Sequence, residues 1–362
     1  MILATQPGCV AHAWTPDGSV ALAIAIPTPD FGAISPAVAA VLAEVMALGT
    51  ANYTRSELWR YGAQDGVGPI VAHLPGMIVI AVQATGEGAH EVCAEVGKSI
   101  LTEPEIFPDR VEEAKGRLAA LRRQAWVVAS WPLPPGIESV TPAQVQTAHQ
   151  FWVQAKPLAV WLGTPRGVGA QALESEDLKT EPVKPGATSS AALPGGYPAW
   201  KWDLPVTGPG QDLAATTAAT ALLGLGKDSF GFRVLRSEHQ LGYLIQGGIF
   251  PDPRGWAARL TGLGRTDLPT GYLDWLEAER LGWTEARIGI GKQWARAANS
   301  GVSPFPLFWV SRTRTLDGTG ATAAAWSAWN SALGVDLHPG ILDSTLEGLE
   351  AEEVQAALGL QR

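Results

Sequence analysis

One order of elements occurs twice along this chain, and that repeat restricts its fold more than any other feature. An apolar helix from Ala37 to Leu48 stops at Gly49. A second, from Asp212 to Leu225, stops at Gly226, which makes the repeat about 177 residues long. Strand-like sequence precedes each helix, VALAIAI in one case and YPAWKWDL in the other, and a short helix and a hairpin signal follow. The 362 residues are enough for about two domains. A content of 46% hydrophobic and 17% charged residues excludes a disordered or fibrous chain. The expected fold is a duplicated α+β unit, each copy a mostly antiparallel sheet with helices packed on one face.

Within the first copy, the turn Thr15 to Gly18 between CVAHAW and VALAIAI predicts a hairpin. Thr54, with Glu57 three residues on, has the capping-box spacing. IVAHL and MIVIAVQA flank Pro75 and Gly76 as a further hairpin, and helices are expected near Ala89 to Leu101 and Pro108 to Trp131. Thr141 caps a last helix with Pro142 at its first position, before the strand LAVWLG. The copy spans residues 1–165. Residues 166–195, rich in Pro, Gly, Ala and Ser, read as a linker, and residues 196–362 form the second copy. There a short helix through Phe232 and Leu235 leads to a hairpin, LGYLIQGGIF and WAARLTGLG around PDPRG. Helices follow near Gly271 to Leu281, Thr284 to Ala298 and Ala321 to Ala332.

A net charge of −9 and a pI near 5.2 argue against nucleic acid as a partner, because phosphate binding needs a clustered basic face. Lys115, Arg117, Arg122 and Arg123 form the densest basic cluster and read as a solvated helix face. VALAIAI and MIVIAV are too short to span a bilayer, and MILATQPGCVAHAW lacks the pattern of a secretory signal, so no membrane partner and a cytoplasmic location are expected. Cys9 and Cys93 read as small core residues. No two of the six histidines are three or four residues apart. His90-Glu91-Val92-Cys93-Ala94 resembles H-E-x-x-H until Ala94, and no metal site is expected in this chain.

The stretch LRSEHQLGY, Leu235 to Tyr243, carries a resemblance. With the helix and Gly-Thr at Ala37 to Thr50, FPDRVEEAKGRL and TPAQVQTAHQFW, the chain resembles the pitrilysin family of zinc peptidases, the inverzincins, over nearly its whole length. The resemblance implies two homologous pitrilysin-type half-domains and a chamber of four such halves around a peptide. It also implies a zinc motif, H-x-x-E-H, on the first long helix before Gly49 and Thr50. Ala40, Ala43 and Glu44 stand where the first histidine, the base glutamate and the second histidine would be. Arg122 or its neighbour falls where the family has a further zinc-binding glutamate. By the same resemblance, Arg236 contacts a substrate carbonyl and Tyr243 hydrogen-bonds near the scissile carbonyl, where oxyanion charge develops. The chain is therefore expected to be a non-catalytic subunit acting with an H-x-x-E-H partner chain, in which the zinc resides, on a peptide substrate. The competing expectations are a scaffold or peptide-binding protein with no role in proteolysis, and a homodimer that traps peptides.

Overall fold

In the computed structural model the described residues are 9–12, 19–27, 34–62, 69–74, 77–122, 134–154, 157–163, 186–188, 199–204, 213–242, 244–252, 255–263, 272–300, 324–325, 327–328, 331 and 339–358. They form two sheets with helices against them. The first sheet holds β1 (Cys9–His12), β2 (Val20–Pro27), β3 (Ile70–Leu74), β4 (Met77–Ala84) and β5 (Leu158–Leu162), in the order β1-β5-β2-β4-β3. All its pairings are antiparallel except β1 with β5. The second sheet holds β6 (Gly186–Thr188), β7 (Ala199–Asp203), β8 (Leu244–Asp252) and β9 (Gly255–Leu263), in the order β6-β7-β9-β8, wholly antiparallel.

The local signals for β3-β4 and β8-β9 hold, with Leu74 opposite Met77 and Asp252 opposite Gly255. The hairpin expected between CVAHAW and VALAIAI does not form. β5 lies between β1 and β2, pairing parallel with one and antiparallel with the other. All five of its residues are buried, so a distant apolar strand with two ladders to offer outweighs a local turn signal. β6 pairs with β7 from inside the segment read as a linker.

Period-two alternation sorts the first sheet into two buried faces. Leu22, Ile24, Ile78, Ile80 and Trp161 join a core with α1 (Pro36–Met46), α3 (Ala89–Thr102), α4 (Pro108–Arg122) and α5 (Pro142–Gln154). Ala21, Ala23, Ala25, Val79, Ala81 and Val160 face the other way, into a core continuous with Trp202, Leu222, Phe230 and Leu260 of later chain. The capping boxes form as read. Ahead of α2 (Arg55–Gly62), Thr54 N–H donates to the Glu57 carboxylate at 2.8 Å, and Glu57 N–H donates to the Thr54 hydroxyl at 3.3 Å. Thr141 and Gln144 repeat the arrangement at α5.

The second apolar helix, α6 (Leu213–Gly224), has every residue buried. Its neighbours approach so closely that they need glycine. A Cβ on Gly247 of β8 would stand 2.5 Å from the Thr220 carbonyl oxygen. One on Gly291 of α8 (Glu285–Ser300) would stand 2.6 Å from Leu222 Cγ. Gly226 stops the helix at φ +76°. α1 begins at residue 36 and α6 at 213; α4 begins at 108 and α8 at 285. Both pairs are 177 positions apart. α7 (Tyr272–Leu281), α9 (Pro339–Gly348) and α10 (Ala351–Ala356) complete the named helices.

Candidate functional site

α1 starts cleanly because Ser35 accepts from Val38 N–H at 3.3 Å and Pro36 fills the first turn. Its residues from Ala37 to Met46 are all buried, Glu44 among them at 5% exposure. A lone carboxylate in such a place needs a counter-charge. Arg117, reaching from α4, supplies it: its Nε donates to Glu44 Oε1 in a short ion pair, with the arginine side chain 25% exposed. Nearby, Arg55 lies 3.9 Å from Glu113, which with Glu105 also holds Arg110. Burial lowers the Arg55 pKa, the positive charge of Arg117 adds to that, and Glu113 and Glu44 oppose it.

These residues do not fit a zinc ion. Ala40 and Ala43 have no donor atoms, and the carboxylate of Glu44 is engaged by a guanidinium. Among the described residues no group of three or more His, Cys, Asp and Glu side chains could hold a metal. The basic cluster is also not wholly a solvated face, since Arg117 turns inward to Glu44. Cys93 is buried, donates weakly toward the carbonyls of Val20 and Val82, and has a thiol pushed up to about 12 by burial, so it is inert as a nucleophile.

The Gly-Thr that follows α1 has a structural use. Gly49 takes φ +148°, and the Thr50 hydroxyl accepts from the backbone N–H groups of Asn52 and Tyr53 while bonding to Ser99 at 2.9 Å. On β3, at the sheet edge, His73 has both ring nitrogens buried without hydrogen-bond partners among the described residues, and burial lowers its pKa to about 4. His90 lies 5.5 Å from the ring of Trp161, ring centre to ring centre, so the H-E-x-x-A stretch packs against β5.

The stretch around Arg236 is a π-helix, Gly231–Glu238. Such wide turns often mark functional positions. Arg236 is half-buried in its last turn, with its guanidinium carbon 4.7 Å from the centre of the Phe232 ring. Leu235 and Leu241 are buried on either side of a reversal in which Gln240 adopts φ +54°. Tyr243 lies outside the described residues.

No family model matches the chain, and no curated protein sequence does. Solved structures do. The peptidase M16 inactive domain from Pseudomonas fluorescens superposes with a TM-score of 0.60 at 14% identity, covering 98% of this chain and 92% of that chain. A protease from Helicobacter pylori does so at 0.63 and 13%, covering 98% and 94%. This chain has the peptidase M16 fold. Pitrilysin matches over 98% of this chain but 41% of its own length, with a TM-score of 0.55 and 14% identity. The chain therefore spans less than half of pitrilysin.

On this M16 fold, Ala40, Ala43 and Glu44 share one face of α1, and Arg117 meets that face. Sequence reasoning placed Arg117 on a solvated face and missed Arg55 and the π-helical turn. The signal for Arg117 was present: a single acid in an alanine-rich helix requires a cation on whatever packs against it.

Proposed function

We propose that this chain is the non-catalytic subunit of a heterodimeric zinc peptidase. In this reading residues 1–165 and 196–362 are homologous halves. They close a chamber with a partner chain that carries H-x-x-E-H and its zinc. Arg236 and Tyr243 act on the peptide held there, the arginine at a backbone carbonyl and the tyrosine hydroxyl where oxyanion charge develops. The observation that carries the reading is the Glu44–Arg117 ion pair. A chain with the M16 fold has placed a salt bridge on the helix face that would otherwise offer metal donors, and has kept the arginine of LRSEHQLGY at a reversal into an edge strand. An extended peptide can add to such an edge by main-chain hydrogen bonds.

The test begins with a pull-down of the full chain from its native lysate and mass spectrometry of what accompanies it. Recovery of a stoichiometric chain of similar size with H-x-x-E-H is expected. In that complex Arg236→Ala or Tyr243→Phe should lower turnover of quenched peptides on the order of a hundredfold. Unchanged cleavage in both variants would sink the reading and leave a scaffold. Saturable peptide binding by the chain alone would point to a trapping homodimer.

A further inference from the structure

We infer that α7 is the positioning element for Arg236, through a two-point clamp on the π-helix. The inference deepens the proposed function and rests on it. At the start of the π-helix, Arg233 donates to Glu279 of α7 at 2.6 Å. Just past its end, the His239 ring lies flat on Trp275 of the same helix, with ring centres 3.7 Å apart and planes 6° from parallel. Trp275 and Glu279 are four residues apart, so one face of α7 presents both, about 6 Å apart along its axis. Arg236 stands midway between the two gripped residues.

The clamp acts where the chain most needs it. Ser237, Glu238, His239 and Gln240 are all exposed, and Gln240 is a non-glycine residue in the left-handed region, a conformation that persists only where neighbours impose it. Leu235 and Leu241 anchor the two ends of the reversal in the core, and the bond from Leu241 N–H to the Leu235 carbonyl, 2.8 Å, closes it. The His239–Trp275 stack holds the middle. Neither ring belongs to the fixed positions of the L-R to L-G-Y motif, and neither reaches the substrate in this account. They are positioning residues, whose loss lets the arginine wander from its carbonyl.

Two readouts test this. Hydrogen exchange on the full chain should show the amides of His239 and Leu241 exchanging about tenfold faster in His239→Ala, with α6 unchanged; His239→Phe, which keeps a flat ring on Trp275, should recover most of the protection. In the assembled peptidase, with a mixed pool of quenched peptides as substrate, His239→Ala should lower kcat at least about tenfold at unchanged KM, and His239→Phe should regain most of the loss. Unaltered exchange in His239→Ala overturns the clamp. Faster exchange with full turnover, while Arg236→Ala is impaired, overturns the positioning role alone. Full turnover in Arg236→Ala overturns this inference, and full turnover in Tyr243→Phe as well overturns the peptidase reading itself.

Discussion

Removing either partner of the Glu44–Arg117 pair tests how far the α1–α4 interface depends on it. Glu44 has 6% of its side chain exposed and Arg117 25%, so the two ends are not equivalent. Arg117→Met strands a carboxylate in a nearly sealed site, and breaking a buried pair in this way costs about 3 kcal/mol, at the low end of the range because the arginine is partly wet. Glu44→Leu strands a guanidinium that can turn toward water, although Arg55 stands near it, and should cost about 2 kcal/mol. Independent effects would make the double variant worse by about 5 kcal/mol. Two apolar residues in contact leave no stranded charge, so the double variant should lose only about 2 kcal/mol, a coupling of about 3 kcal/mol. The assay is equilibrium urea denaturation followed by tryptophan fluorescence, comparing midpoints at equal slope. Additive losses, or single variants each within about 0.5 kcal/mol of the parent, would refute the argument, because the pair would then behave as a surface bridge.

Three further outcomes are expected. His73 has a pKa held down to about 4 by burial, against 6.5 when unfolded. Its contribution is therefore intact above pH 6.5 and declines as pH falls toward 4, by about 3 kcal/mol in all; denaturation midpoints across that window should lose this slope in His73→Leu. In α8, Gly291→Ala drives a Cβ into Leu222 and should destabilise by about 2 kcal/mol. Two positions away, Gly289→Ala meets nothing within 4 Å and should stabilise by about 0.5 kcal/mol, both read as shifts in Tm. Finally, Ala40→His, Ala43→Glu and Glu44→His combined with Arg117→Glu should create stoichiometric zinc binding measurable by calorimetry, and no binding would show that α1 and α4 are not spaced for a metal.

What could be read from the sequence was what neighbouring residues decide. Thr54 with Glu57 and Thr141 with Gln144 gave true helix starts, because a capping box satisfies its own donors. Hairpins around Pro75 and PDPRG were legible for the same local reason. The CVAHAW hairpin failed where a strand from residue 158 onward took the place between its partners, a choice made by burial over distance. That Ala40, Ala43 and Glu44 share one helical face followed from their spacing. That Glu44 needs a cation was legible, but not that Arg117 supplies it, since the phase of α4 against α1 depends on packing across the core. The π-helix was equally hidden: a wider turn leaves no periodic trace in eight residues.

The alanine face of the first sheet bears on how the chain can be cut. Ala21, Ala23, Ala25 and Ala81 share one continuous core with Trp202, Leu222 and Leu260. A protease that severs the backbone between β5 and β6 therefore does not release two independent pieces. Each fragment made alone would present a broad apolar surface to water and associate with whatever covers it. Made together, the two should find each other and rebuild one particle from two polypeptides, held by the same face that the intact chain buries.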